Sequence, residues 1–222
     1  KFVDDDNDEF DYTQKIVVPS TTNLTMWEDN DYADDEPVLG FRIPSGATVL
    51  NYTLTFSDNP LLNDLATSTL PIMGKSYYVL TNGSSSAGVV LTLLDSATDA
   101  VLAEGETSTL DVEGTSYDVS ISFVSATEAK LTVNGETTNS LAETETYKLS
   151  DGAYVGIKDI LYSAKDTGIS KVEFSIGSGK LKITNNAEIQ INDNAVSGLS
   201  GTIVNTSTAL TSIRLDWLAD DD

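Results

Sequence analysis

Carboxylates are the only groups in this chain clustered densely enough to do chemistry, and they gather in two N-terminal runs. Asp4, Asp6 and Asp8 stand at alternate positions, the spacing that opens an oxygen-ligand loop for a hard cation such as Ca²⁺. An EF-hand needs glycine at the sixth position and a bidentate acid at the twelfth; Glu9 and Lys15 stand there instead. The expectation is therefore an irregular loop rather than an EF-hand. The second run supplies Asp29, Asp31, Asp34, Asp35 and Glu36 as further candidate Ca²⁺ ligands. A solvated acidic leader over residues 1–9 is the competing reading. No cofactor beyond Ca²⁺ is expected.

Other chemistry is short of parts. Asp and Glu number 35 against 12 Lys and Arg, and there is no His and no Cys. That removes the imidazole base, the thiolate nucleophile, the disulfide and the ordinary nitrogen–sulfur metal site. Gly74-Lys75-Ser76 looks like the end of a phosphate-binding loop, but its first glycine would fall on Thr69, and a strand rather than a helix follows. Asp166-Thr167-Gly168 matches the aspartic-protease tripeptide without the second copy that a shared proton requires. A pair of carboxylates could serve a glycosidase, yet nothing marks a sugar cleft. The expectation is that the chain is not an enzyme. Four N-glycosylation sequons begin at Asn23, Asn51, Asn82 and Asn205.

A net charge of −23 repels nucleic acid and anionic membrane surfaces, and suits divalent cations or basic partners. The first 36 residues hold 12 acids against Lys1 and Lys15, and Asp220, Asp221 and Asp222 form an acidic tip at the other end. No apolar stretch is long enough to span a bilayer. The opening Lys1-Phe2-Val3 reads as the start of a processed or trimmed chain.

Between the acidic ends the pattern has period two. Tyr117, Val119, Ile121 and Phe123 alternate with polar residues, as do Leu50, Tyr52, Leu54 and Phe56. Val172/Phe174/Ile176, Leu181/Ile183, Ile189/Ile191 and Ile213/Leu215/Trp217 repeat the theme. Asn134-Gly135, Asp151-Gly152, Gly177-Ser178-Gly179 and Asn185-Asn186 supply turns between them. Strands recurring about every ten residues predict an all-β chain of two β-sandwich (Ig-like) domains. Only Pro60–Leu65 admits a helical turn.

The expected layout is an acidic leader over 1–9, a β domain over 10–72, a second over 73–165, and the tip at 219–222. Residues 166–218 either complete the first domain around an insertion or follow the second in a row. Two internal echoes stand about forty residues apart: Leu102–Leu110 with Leu141–Leu149, and Gly74–Val79 with Gly114–Val119. They fit either a duplication or the repeated grammar of turn and strand.

The passage Leu131-Thr132-Val133-Asn134-Gly135-Glu136, then Tyr147-Lys148-Leu149-Ser150-Asp151-Gly152, continues through Tyr154–Tyr162 and Val172–Leu181. With Met73-Gly74-Lys75-Ser76-Tyr77 upstream, it resembles archaeal surface-layer (S-layer) proteins, particularly those of small-genome lineages. The resemblance implies a secreted, often glycosylated, all-β subunit that tiles the cell surface, commonly stabilised by Ca²⁺, with no catalytic residues. Its partners would be copies of itself and N-glycans, and its place the cell exterior. S-layer chains are usually much longer than this one.

From the residues themselves, Tyr12–Val18 stands out as a strand able to pair with another chain or within its own sheet. The expected function is thus a structural subunit of a cell-surface assembly. A monomeric adhesion or carbohydrate-binding module is the alternative, and a two-carboxylate β-sandwich hydrolase ranks below both.

Overall fold

Alternating apolar and polar residues build strands, and little else is found in the described residues. The computed structural model describes residues 1–18, 24–28, 37–41, 43–86, 88–164 and 168–220, with 24–28 and 37–41 as backbone only. The first nine strands are β1 Phe2–Val3, β2 Glu9–Phe10, β3 Tyr12–Val17, β4 Leu24–Glu28, β5 Pro37–Phe41, β6 Thr48–Phe56, β7 Thr69–Ile72, β8 Lys75–Ser85 and β9 Gly88–Asp95. Eight follow: β10 Thr98–Ala103, β11 Thr107–Val112, β12 Thr115–Val124, β13 Ala129–Val133, β14 Glu136–Thr137, β15 Thr146–Lys148, β16 Tyr154–Leu161 and β17 Lys171–Gly177. The last four are β18 Gly179–Thr184, β19 Ala187–Ile191, β20 Asn194–Asn205 and β21 Leu210–Leu218. The one helical turn among the described residues, a 3₁₀ turn over Asn63–Leu65, lies inside the segment that admitted one. The chain is all-β, and its strand pairs are antiparallel.

Nine strands form one sheet in the order β3-β6-β21-β20-β19-β18-β9-β8-β7. Its inner face buries Tyr52, Leu54, Leu70, Leu91, Ile183 and Ile213 in a single core, drawn from strands across its whole width. The sheet therefore curls, and the Tyr52 hydroxyl on β6, which donates to the Gln14 side-chain carbonyl at 2.9 Å, lies 3.4 Å from the Pro71 carbonyl on β7. The β1–β2 hairpin closes one end of this core with Phe2, which is 1% exposed and packs edge-on against Phe56 at 5.4 Å. Residues 1–9 are thus a folded hairpin rather than a solvated leader.

Strands β4 and β5 pair with each other, and the remaining strands make two four-stranded sheets, β10-β17-β16-β15 and β11-β12-β13-β14. Val119 and Leu131 of one meet Val155 and Phe174 of the other in a shared, fully buried core. In sequence these sheets lie between β9 and β18, which are themselves neighbours, with Asp95 opposite Gly179. Strands β8 and β9, inside the expected 73–165 unit, belong to the nine-stranded sheet, whereas β17, beyond residue 165, belongs to the smaller sheets. Of the Asp166-Thr167-Gly168 turn expected at that border, Asp166 and Thr167 lie outside the described residues.

Alternation reads burial well except where the ladder slips. Tyr117, Val119 and Ile121 are buried, but a bulge between Ile121 and Phe123 turns Phe123 outward to 44% exposure. Asn134-Gly135 forms its two-residue hairpin with both residues at positive φ, and Met73-Gly74 and Glu113-Gly114 do the same. The echo between Gly74–Val79 and Gly114–Val119 is thus a shared hairpin turn. The longer echo is also a turn. The Ala103 amide donates to the Glu106 carboxylate at 3.1 Å, and the Ala142 amide to Glu145 at 3.0 Å. Gly105 and Thr144 occupy the matching positive-φ corner.

Gly177 sits where the small sheets hand the chain back to the large one. A Cβ there would lie 2.9 Å from the Asp95 carbonyl oxygen and from the Leu94 Cβ. Gly177→Ala is expected to cost about 1–3 kcal/mol through overpacking. Urea unfolding should show a lower midpoint; an unchanged midpoint would mean that this corner yields freely.

Candidate assembly edge, acidic turn and junction

Three places combine geometry with uncommitted or crowded polar groups. The first is the free edge of the large sheet. Strand β3 pairs with β6 on one side, and no described strand pairs with its other side. The Ser57 amide donates to the Asp11 carbonyl at 2.8 Å, in register with Thr13↔Thr55 and Lys15↔Thr53. Odd-numbered residues therefore point their main-chain groups at β6, and Tyr12, Gln14 and Ile16 point theirs outward. The Gln14 side chain accepts the Tyr52 hydroxyl at 2.9 Å, and the apolar side chains are bare. Ile16, Val17 and Val18 are 57%, 44% and 65% exposed, and Lys15 has no ion pair among the described residues. An open, proline-free edge bearing apolar residues is a template for another strand.

The second place is the acidic turn between β1 and β2. Asp4 is buried, and its Oδ1 accepts the Asp8 amide at 2.8 Å; Asn7, at φ 66°, makes the corner. The Asp5 amide donates to the Asp64 carbonyl at 3.2 Å, which brings the 3₁₀ turn alongside. Carboxylate oxygens of Asp5, Asp6 and Asp64 lie within 4.8 Å of one another. Of the expected ligands, only Asp6 joins this trio, while Asp4 holds the turn. Asp29, Asp31, Asp34, Asp35 and Glu36 lie outside the described residues. Spacing does not single out Asp5 or Asp64; Asp64 comes to the turn from the 3₁₀ segment, beside buried Leu65 and bonded through its carbonyl to the Asp5 amide.

Burial, and then the charges of Asp6, Asp5, Asp4 and Asp8, raise the Asp64 carboxyl above the ordinary aspartate value. Lys1, the base nearest in sequence to Asp5 and Asp6, is taken by Glu9 at 2.9 Å.

The third place is the junction between the large sheet and the inserted sheets. Lys180 on β18 meets Asp193 at 2.5 Å and Thr146 at 2.8 Å, with its ammonium 4.9 Å from the centre of the Tyr154 ring. The Tyr154 hydroxyl donates to the other Asp193 oxygen at 3.0 Å. Burial and then Asp193 push the Tyr154 hydroxyl up to about 12. Burial works to raise the Asp193 carboxyl, but Lys180 and Tyr154 outweigh it and hold the group below its ordinary value. Beside the network opens a cleft of about 390 Å³ lined by Thr92, Asn139, Ser140, Thr146, Lys182 and others. Nothing local in the sequence joins Lys180 to Tyr154 and Asp193, because strand β18, strand β16 and the β19–β20 turn supply them.

Of the sequons, Asn23 lies outside the described residues. The amide nitrogens of Asn51 and Asn82 donate to the Asp216 carboxylate and the Leu62 carbonyl, both in half-buried settings. Asn205 is exposed at the end of β20 and donates to the neighbouring Thr206 carbonyl at 2.6 Å.

Comparison of the chain with protein-family models, with curated proteins and with solved structures returns no match. Among the described residues no helix is long and apolar enough to cross a membrane.

The raised Asp64 carboxyl has a definite sign. Its ionised form is disfavoured in the folded state, so folding is more favourable below the ordinary aspartate value and loses that contribution as pH rises through the raised one. Asp64→Asn is therefore expected to raise the melting temperature at neutral pH in the presence of chelator. That advantage should shrink as the pH falls to the carboxylate range. A drop in melting temperature at neutral pH would show that the Asp64 charge is needed.

Proposed function

We propose that this chain is a structural subunit of a cell-exterior assembly, an archaeal surface layer or a related sheet, tube or filament, and that it works by self-association. The observation that carries this reading is the open edge of β3, with its outward main-chain groups and exposed Ile16, Val17 and Val18. Absence of His and Cys and the resemblance to S-layer sequences support it. Copies carrying −23 each repel at long range, so screening or bridging cations must favour their meeting. The Asp5/Asp6/Asp64 trio is the natural place for Ca²⁺ to act, by relieving crowded charge on the folded chain. Asn205 is the sequon best placed for a glycan, being the exposed one of those described.

A carbohydrate-binding role is the second reading, and the polar junction cleft with Lys182 favours it. Acidic and neutral oligosaccharides titrated into the chain would show saturable heat if that reading holds.

Sedimentation and negative-stain microscopy at increasing salt and Ca²⁺ are expected to give multimers, sheets or filaments. A chain that stays monomeric at high concentration under every condition would overturn the assembly reading. Ca²⁺ at about a hundredfold excess over Kd should add roughly 2.7 kcal/mol of stability, lost with chelator or in Asp64→Asn. A melting temperature indifferent to chelator would remove the Ca²⁺ role.

A further inference from the structure

The β3 edge carries enough pattern to specify its occupant. We infer that the partner is a second copy of this chain, joined through an antiparallel β3–β3 pair with Gln14 of each copy on the two-fold axis. This inference rests on the assembly reading above and adds the contact and its register.

The main chain restricts the choices first. Only even-numbered residues of β3 present free hydrogen-bonding groups, so even residues must face even residues. Three registers keep a useful overlap, with Thr13, Gln14 or Lys15 on the axis. Placing Lys15 there sets two ammonium groups directly opposite each other, an unfavourable cross-strand pair. Placing Thr13 there requires Phe10 to pair with Ile16 of the second copy. Phe10 belongs to β2 and is already paired with Phe2.

With Gln14 on the axis, every pairing residue lies within β3. Tyr12 of each copy faces Ile16 of the other, on the face where Tyr12 already touches Phe56. That pair covers the half-exposed Ile16 with an aromatic ring, a favourable cross-strand combination. On the opposite face Thr13 stands across from Lys15, which puts Lys15 diagonal to Asp11 of the second copy. Lys15, unpaired among the described residues, thus gains a carboxylate, and the symmetry makes the contact twice. About six main-chain hydrogen bonds close the edge. The other sheet edge, β7, holds Pro71, whose ring removes a donor, so the two edges are not equivalent.

The absence of cysteine makes the register directly readable. Thr13→Cys, Gln14→Cys, Lys15→Cys and Ile16→Cys are made singly in the full chain and oxidised under assembly conditions. Gln14→Cys is expected to give the fastest disulfide-linked dimer, because opposed Cα atoms about 5.5 Å apart match disulfide geometry. Lys15→Glu should weaken association about tenfold by setting acid against Asp11, and the swap Asp11→Lys with Lys15→Glu should restore it. Fastest linking at another position, or a swap that fails to restore association, overturns the Gln14 register. Multimers that form with no β3 cross-link at all overturn the strand contact and leave self-association standing. A chain monomeric throughout overturns both. Slow amide exchange at Tyr12, Gln14 and Ile16 in the monomer would mean that the edge is covered from within its own chain, and also overturns the inference.

Discussion

The ladder between β9 and β18 is the constraint on which the rest of the molecule depends. These strands pair residue for residue from Asp95↔Gly179 to Val90↔Thr184, although two complete sheets stand between them in sequence. Asp95 is the corner of this arrangement. Its carbonyl accepts the Ser178 amide at 3.0 Å, and its carboxylate takes Lys75 at 2.5 Å and the Ser96 hydroxyl at 3.1 Å. Both ends of the inserted segment are therefore clamped within a few ångströms of each other. Leu80 and Leu94 from the large sheet then bury against Tyr154 of the inserted ones, and the Lys180–Asp193 pair fastens the outside. An insertion held at adjacent strands costs the parent sheet little, because its own ladder is unbroken.

Much of this was legible from residues alone, and the failures share a cause. Alternation is local, so it placed Tyr52, Val119, Phe174 and Ile213 inward correctly. It says nothing about which sheet a strand joins. Strands β8 and β9 look like those of the inserted sheets and share a hairpin turn with them, yet hydrogen-bond elsewhere. A bulge is invisible to a period-two count, which is why Phe123 faces water. Asp64 was missed for the same reason as Lys180: each meets its partners through contacts between distant segments. Alternate spacing singled out Asp4, Asp6 and Asp8, but of these only Asp6 joins the carboxylate cluster with Asp5 and Asp64, while Asp4 serves the backbone.

Charge divides the same way between use and surplus. Five of the twelve bases make ion pairs among the described residues: Lys1 with Glu9, Lys75 with Asp95, Lys158 with Glu173, Lys180 with Asp193 and Arg214 with Asp216. The acids far exceed what such pairing needs and give the surface one sign. A surface of one sign keeps copies apart until screening lets short-range contacts act, so the edge can be both exposed and quiet. Lys15 is one of the bases left without an ion pair among the described residues, and the one that stands on that edge.

The tyrosines carry a consequence for the acidity range over which this protein stays itself. With no imidazole and no thiol, its side chains offer nothing that titrates between the carboxylates and the tyrosine hydroxyls. Tyr117 and Tyr154 are each pushed up to about 12, first by burial and then by Asp151 and Asp193. Their contribution to folding is whole below the ordinary tyrosine value and fades only as strong alkali approaches the raised one. Around neutral pH the side chains therefore hold nearly one charge state. In that range its side chains are a substance nearly without a buffer, and the proton finds little in them to change.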